Sequence, residues 1–243
     1  KGHVSLGSLR VRQDFLIAQG LIQPYENGTT PDPRLLEMAL ARLRQLSAHE
    51  VGHTLGLAHN FAASVNDRAS VMDYPHPYIA LMEDGKIDFS KAYDVGIGEW
   101  DKRTILYGYQ DFPNGTDEEK GLNDILAENN EQSFDYISDR DARPQGGAHP
   151  LGHLWDGGKS ATEELNRIIA LRAKALSTFS EKNIPVGAPM ASLVNVLVPL
   201  YLAHRYQVEA AVKHIGGVDY TYAVRGDGQA PNQAVAEETQ IAA

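Results

Sequence analysis

The sequence predicts an α+β fold that is mainly helical. Apolar residues recur at helical spacing over one long segment, residues 32–55, and capping-box patterns mark the starts of two later helices. The alternation that is typical of strands is confined to short segments, chiefly residues 3–12 and 218–225. With 243 residues, the chain is long enough to bury a core as one large domain or two small ones.

The first half begins with a predicted strand at residues 3–12, followed by a short helix at residues 14–21 and a loop. Asp32 and Pro33 are typical of a helix N-terminus with proline at the first helical position. The long helix is therefore predicted to run to about Leu55. Its apolar residues Leu36, Leu40, Leu43 and Leu46 recur at helical spacing, and its length suggests a rigid buried platform for the residues near its end.

The segments that follow predict a tight turn at residues 83–86 and a helix at residues 97–109. Thr116 and Glu119 form a capping box, which predicts a helix ending near Asn129.

In the last third, Ser160 and Glu163 form a second capping box for a helix to about Lys182. Residues 191–215 predict one helix kinked at Pro199, and the tail from residue 231 is predicted to be loose. The predicted inward-facing residues of the helix that begins after Ser160 are Leu165, Ile168, Ile169, Ala173 and Leu176.

Residues 131–160 show little periodicity and predict an irregular segment. A loop that lines a cleft and a loop that packs onto the helices are both compatible with this composition. His149 and His153 are four apart, but Pro150 and Gly152 oppose a helix between them, so a second metal site is not favoured.

Residues 49–59 read HEVGHTLGLAH and have the histidine spacing of a metal site. On a helix, His49 and His53 lie on one face a turn apart, so both imidazoles can bind one ion. Gly56 allows the helix to end in the left-handed conformation, and the turn brings His59 back as a third ligand. Three protein ligands leave a fourth position open, as in catalytic zinc sites.

This motif and residues 70–74, SVMDY, resemble the metzincins, a class of zinc proteases named for a methionine turn. The resemblance implies that Met72 forms an apolar floor beneath the histidines. It also implies that Tyr74 stabilises the tetrahedral intermediate, as in the astacin and serralysin branches; an ordinary buried tyrosine is the alternative. The segment that usually forms a pocket wall in this family corresponds to Pro75, Pro77 and Tyr78.

Residues 98–102 and 201–211 extend the resemblance to a large group of bacterial zinc-dependent metzincins. The implied function is that of a zinc endopeptidase in which Glu50 is the general base for a metal-activated water. Two alternatives remain: a non-catalytic, zinc-containing binding domain with a vestigial site, and a zinc hydrolase that acts on another substrate. The intact Glu50 favours catalysis, because a structural zinc site does not need a base.

The family implies several strands before the active-site helix, whereas only about thirty residues precede it here. Residues 1–110 are therefore interpreted as a truncated metzincin-like catalytic core with one or two strands, its upstream sheet missing. Residues 111–243 are predicted to form a mostly helical subdomain packed on this core. An upstream segment of the same precursor is a candidate partner, beside a peptide or protein substrate.

The net charge of -10 argues against nucleic acid as a partner, since phosphates require a basic surface. The sequence contains no apolar run long enough to span a membrane and no cysteine that could form a disulfide or bind zinc. Calcium is common in related families, but Asp111, Asn114 and Asp117 do not follow an EF-hand pattern. The family resemblance predicts a secreted or periplasmic location.

Overall fold

The computed structural model describes residues 9–230 and 232–243. Within these ranges the chain is mainly helical, which confirms the α+β class. The helices are α1 Leu9–Leu21, α2 Arg34–Thr54, α3 Glu99–Tyr109, α4 Glu118–Glu131, α5 Asp139–Ala142, α6 Ala161–Thr178, α7 Leu193–Tyr201, α8 Arg205–Val212 and α9 Glu237–Ala242. The antiparallel strand pairs are β1 Ala80–Leu81 with β2 Ile87–Asp88, and β3 Val218–Tyr220 with β4 Asn232–Ala234.

The first helix replaces a predicted strand. Residues 9–12 are the first turn of α1, so the strand prediction is wrong there, and the rest of that segment lies outside the described residues. Arg10 and Asp14 form an ion pair at i and i+4, with Nε and Oδ1 2.8 Å apart, an interaction that favours a helix. Ile17 and Leu21 are buried in the core, so helical packing prevails over the loose alternation of the sequence.

The long helix α2 confirms the predicted length. Of the leucines that recur along it, Leu36 and Leu40 are 63% and 45% exposed, while Leu43 and Leu46 are half-buried. The face that packs inward carries polar as well as apolar residues, and a count of leucines does not identify it. Its buried members are Leu35, Met38, Arg42, Gln45, His49 and Gly52.

The predicted turn at residues 83–86 connects β1 and β2, and Gly85 adopts a positive φ of +77° there. Helix α3 begins at Glu99, close to the prediction. Helix α4 is capped by Asp117, whose side chain accepts from the backbone N–H of Lys120, and not by the neighbouring Thr116.

Helix α6 begins after Ser160 as predicted, because the Ser160 hydroxyl accepts from the backbone N–H of Glu163. It ends at Thr178, earlier than predicted, and a 3-10 turn at Glu181–Asn183 follows. Within it Ile168 is buried, but the predicted inward residues Ile169 and Ala173 are exposed, so the prediction is wrong for these two.

The segment predicted as one kinked helix consists of α7 and α8, separated at residues 202–204. Pro199 lies inside α7 and not at the break. Helix α7 packs mainly on α1, whereas α8 packs on α6. The prediction of a loose tail is wrong, because β4 pairs with β3 and α9 follows.

The largest cluster of buried side chains joins α1, α2, the β1–β2 hairpin, α6 and α7. It contains residues from both sides of position 110, and the division into two units stays a prediction. Smaller clusters surround Met72 and Phe61, and these lie next to the histidine motif. None of the described helices combines the length and the apolar character that a membrane span requires.

Candidate metal centre

Three histidines converge at the end of α2. His49 and His53 lie in the last turns of the helix, and His59 returns to them after the helix ends. One nitrogen from each ring lies within 4.8 Å of the others, and the Nε2 atoms of His53 and His59 are 3.1 Å apart. Ligands about 2.0–2.1 Å from a tetrahedral zinc ion would be separated by roughly 3.3 Å, and the separation of the His53 and His59 nitrogens is close to this value.

The other ring nitrogen of each histidine is engaged in a hydrogen bond. Nδ1 of His49 lies 2.7 Å from the carbonyl oxygen of Val71, and Nδ1 of His53 lies 2.9 Å from that of Leu57. Nδ1 of His59 lies 2.7 Å from Oδ2 of Asp139. An Nδ1–H that donates to such an acceptor leaves the Nε2 lone pair available for a metal ion. All three rings therefore present Nε2 to the centre.

The turn after α2 provides one of these acceptors. Gly56 has φ +86°, and the backbone N–H of Leu57 donates to the carbonyl of Gly52 over 3.1 Å. A residue with a Cβ would be strained at this φ. The same turn places the Leu57 carbonyl at His53 and directs the chain back toward His59.

Met72 lies behind the histidines and is completely buried. Its sulfur occupies the space beside Gly52, where a Cβ would overlap with it, and Gly52 lies between the two ligands of α2. The Met72 carbonyl accepts from the backbone N–H of Asn60 over 3.2 Å. The turn that carries Met72 is thus connected both to the helix and to the segment that carries His59.

Asp101 at the start of α3 holds this turn in place. Its Oδ2 accepts from the backbone N–H groups of Val71 and Gly98, over 2.8 and 2.7 Å, and its Oδ1 accepts from the Ser70 hydroxyl over 2.5 Å. The Asp101 side chain is fully buried. The sequence identified residues 98–102 only as part of a family resemblance, whereas the structure shows that they support the carbonyl that binds His49.

Tyr74 packs against two of the histidines. Its ring centroid lies 4.8 Å from that of His59 and 5.4 Å from that of His49. On another side the ring stacks on Trp155 at 4.7 Å with an interplanar angle of 11°. Trp155 has a positive φ of 63°, and its backbone N–H donates to the Tyr74 carbonyl over 2.8 Å.

The irregular segment 131–160 contributes directly to this site. Asp139, on the short helix α5, is the partner of His59. It lies eighty residues further along the chain, and no local sequence pattern connects the two.

His149 and His153 do not belong to the metal cluster. Nε2 of His149 lies 2.8 Å from the Tyr220 carbonyl oxygen. Within the described residues the three-histidine group is the one set that could hold a metal ion.

Of the predicted pocket wall, Pro75 and Pro77 are buried and Tyr78 is exposed. The Arg167 guanidinium lies over the Tyr78 ring, 4.5 Å from its centroid. A role of these residues in substrate binding stays a prediction.

Burial and neighbouring polar groups shift the pKa values of two side chains in the centre. Burial lowers the pKa of His49 to about 4, against a weaker opposing effect of the Val71 carbonyl, so this imidazole is neutral near pH 7. For Asp139, burial acts to raise the pKa, but hydrogen bonds from Arg143 and His59 outweigh it and lower the pKa. A neutral His49 and an ionised Asp139 are the forms that a metal centre requires.

Comparison with known proteins agrees with this geometry. A family model described as Met-zincin matches residues 31–243, a range that includes the histidines, Met72 and Asp139. The chain belongs to the Met-zincin family. Searches of curated proteins and of solved structures found no match. The three-histidine cluster of this Met-zincin is thus a metalloprotease-like site, while membership of a bacterial group stays a prediction.

Proposed function

We propose that the chain is a zinc-dependent endopeptidase with Glu50 as its general base. The observation that carries this proposal is the convergence of three Nε2 atoms whose rings are all fixed through Nδ1. Imidazole nitrogens suit zinc, and three of them leave a coordination position open for chemistry. Glu50 directly follows the first ligand on α2 and is half-buried.

Bound zinc would supply a water of lowered pKa and polarise the peptide carbonyl. In this scheme Glu50 accepts the proton of the attacking water and then transfers it to the leaving amine. Tyr74, in contact with His49 and His59, donates a hydrogen bond to the developing oxyanion. Substrate is expected to be an extended peptide or an unfolded protein.

The deciding experiment measures cleavage of an unfolded protein and bound zinc in parallel, for the zinc-loaded chain and three variants. We expect Glu50→Ala to retain zinc and lose turnover by at least about a hundredfold, since general acid–base catalysis contributes that much or more. His53→Ala should lose both zinc and turnover. Glu37→Ala, in the first turn of the same helix, is the matched control and should retain both.

Retained turnover in pure Glu50→Ala protein would overturn the mechanism. Zinc binding without any turnover of peptides would favour the alternative of a non-catalytic, zinc-containing binding domain. Turnover of non-peptide esters or amides alone would favour a hydrolase of another class. A secreted or periplasmic location remains part of the proposal, and fractionation of the native host tests it.

A further inference from the structure

Two side chains of the α5 segment connect Tyr74 to the metal ligand His59. Asp139 accepts from Nδ1 of His59 through Oδ2, over 2.7 Å, and from Nε of Arg143 through Oδ1. Arg143 in turn donates from Nη2 to the hydroxyl oxygen of Tyr74 over 3.2 Å. The guanidinium therefore bridges the carboxylate that orients His59 and the phenol that packs against its ring.

The ring of Tyr74 is packed between other side chains. Trp155 stacks nearly parallel to it, and Phe61 contacts it edge-on at 5.5 Å with an interplanar angle of 77°. The Arg143 guanidinium carbon lies 5.3 Å from the Tyr74 centroid. With aromatic rings on several sides, the side chain has little freedom to swing. The direction of the hydroxyl hydrogen is what remains free, and it depends on Arg143, the partner of the hydroxyl oxygen.

That partner also determines what the hydroxyl can do. A guanidinium carries donors and no acceptor, so the Tyr74 oxygen must accept from Arg143, and its own hydrogen remains for another acceptor. A phenol fixed in this way is a preorganised donor, which stabilises a developing negative charge without a cost of reorientation. We propose that Arg143 is a positioning residue that fixes the Tyr74 hydroxyl as a hydrogen-bond donor for the reaction. This inference rests on the proposed function.

The test is a double-mutant cycle on the full, zinc-loaded chain with Arg143→Gln, Tyr74→Phe and the double variant. The first readout is the calorimetric affinity for a phosphinic pseudopeptide, whose tetrahedral oxygens mimic the charge that develops in peptide hydrolysis. Zinc affinity, measured by competition with a chelator, and kcat and KM for a peptide are the other readouts. Cycles separate a pairwise effect from independent structural effects.

We expect Arg143→Gln to weaken phosphinate binding about tenfold and to lower kcat with little change in KM, because the lost interaction acts in the transition state. In the Tyr74→Phe background the same change should have no further effect. Arg143→Lys should weaken phosphinate binding as much as Arg143→Gln. A single ammonium group cannot bond to Asp139 and Tyr74 at once as the planar guanidinium does with its separate N–H groups. Arg140→Gln removes the same charge from an exposed position of α5 and is expected to have no effect.

An equal effect of Arg143→Gln with and without the Tyr74 hydroxyl would overturn the inference, because Arg143 would then act through its charge or through Asp139. Tighter phosphinate binding by Arg143→Gln would also overturn it and show that Arg143 holds the hydroxyl away from the site. Failure of the proposed function is distinguishable: the unmodified chain would then bind zinc but neither bind the phosphinate nor cleave peptide, and the inference would fail with it.

Discussion

At the scale of single residues, the orientation of each histidine ring in the centre depends on the hydrogen bond of its Nδ1. Two of the three acceptors are backbone carbonyls, from Val71 and Leu57, and are present whenever the chain folds. The third is the carboxylate of Asp139, which a substitution can remove. His59 is therefore the ligand whose orientation can be tested without disturbing the backbone.

We expect Asp139→Asn to lower zinc affinity about 10- to 100-fold, the usual cost of removing the hydrogen-bond partner of a ligating histidine. Competition with a chelator measures the affinity. Asp124→Asn removes the same charge from an exposed aspartate of α4 that pairs with Lys120, and it should leave zinc affinity unchanged. Equal affinities for Asp139→Asn and the unmodified chain would show that His59 is oriented by other contacts.

His76 should make the stability of the folded chain depend on pH. It is buried near Arg10 and Arg167. Burial, together with Arg10, lowers its pKa to about 3, against about 6.5 in an unfolded chain. Between these values the unfolded state binds more protons than the folded state, so this group makes stability rise with pH. The rise should be complete above about pH 6.5.

Urea denaturation of the chain and of His76→Gln at several pH values between about 4 and 8 measures this contribution. The difference in unfolding free energy, unmodified chain minus variant, should increase with pH up to about 6.5 and then stay constant. A difference that does not change with pH would show that His76 titrates normally in the folded chain.

At the scale of elements, α2 combines a structural and a functional face. The buried stripe runs from Leu35 through Arg42 and Gln45 to His49, and it carries polar as well as apolar side chains. Arg42 bonds to Gln45, whose Nε2 donates to the Val71 carbonyl over 3.2 Å, the carbonyl that also binds His49. The helix core and the metal centre are thus parts of one packed stripe.

The neighbouring leucines Leu35 and Leu36 test which face is buried. Leu35 is 1% exposed and belongs to the largest core cluster, so Leu35→Ala should reduce the unfolding free energy by about 2–5 kcal/mol. Leu36 is 63% exposed, and Leu36→Ala should change it by less than about 0.5 kcal/mol. Urea denaturation measures both changes in unfolding free energy. Equal decreases for Leu35→Ala and Leu36→Ala would contradict this assignment of the buried face of α2.

At the scale of the whole molecule, the histidine centre joins segments that are distant in sequence. His49 and His53 come from α2, His59 from the following loop, and the partner of His59 from α5. A ligand that binds only when these segments are assembled stabilises the folded chain by mass action. Metal binding should therefore be visible in global unfolding as well as in activity.

Zinc at a hundred times its dissociation constant should raise the unfolding free energy by about 2.7 kcal/mol, and a chelator should reverse the increase. Thermal unfolding with and without zinc measures the effect. His53→Ala should show no increase, and Glu50→Ala should retain it, because Glu50 does not belong to the three-histidine group. Stabilisation that persists in His53→Ala would place the zinc ion elsewhere.

The sequence by itself determined what local spacing can encode. The helix that carries His49 and His53, the glycine that ends it and the turn at residues 83–86 all follow from neighbouring residues. The capping serine of α6 was predictable for the same reason, since Ser160 bonds to Glu163. The resemblance to the metzincins likewise rests mainly on one short motif and the methionine after it, and the family model that matches residues 31–243 agrees with it.

Only the tertiary structure decided which faces and which distant partners meet. Leu36 faces solvent while Arg42 is buried. The inner face of α2 is therefore selected by its packing against α1 and by the pairing of Arg42 with Gln45, and not by the hydrophobicity of single residues. Asp139 and Arg143 reach His59 and Tyr74 only through chain folding, so no local pattern marks them. Local sequence specifies the ligands by their spacing, whereas the side chain that orients His59 comes from α5, a segment distant in sequence that only folding brings to the site.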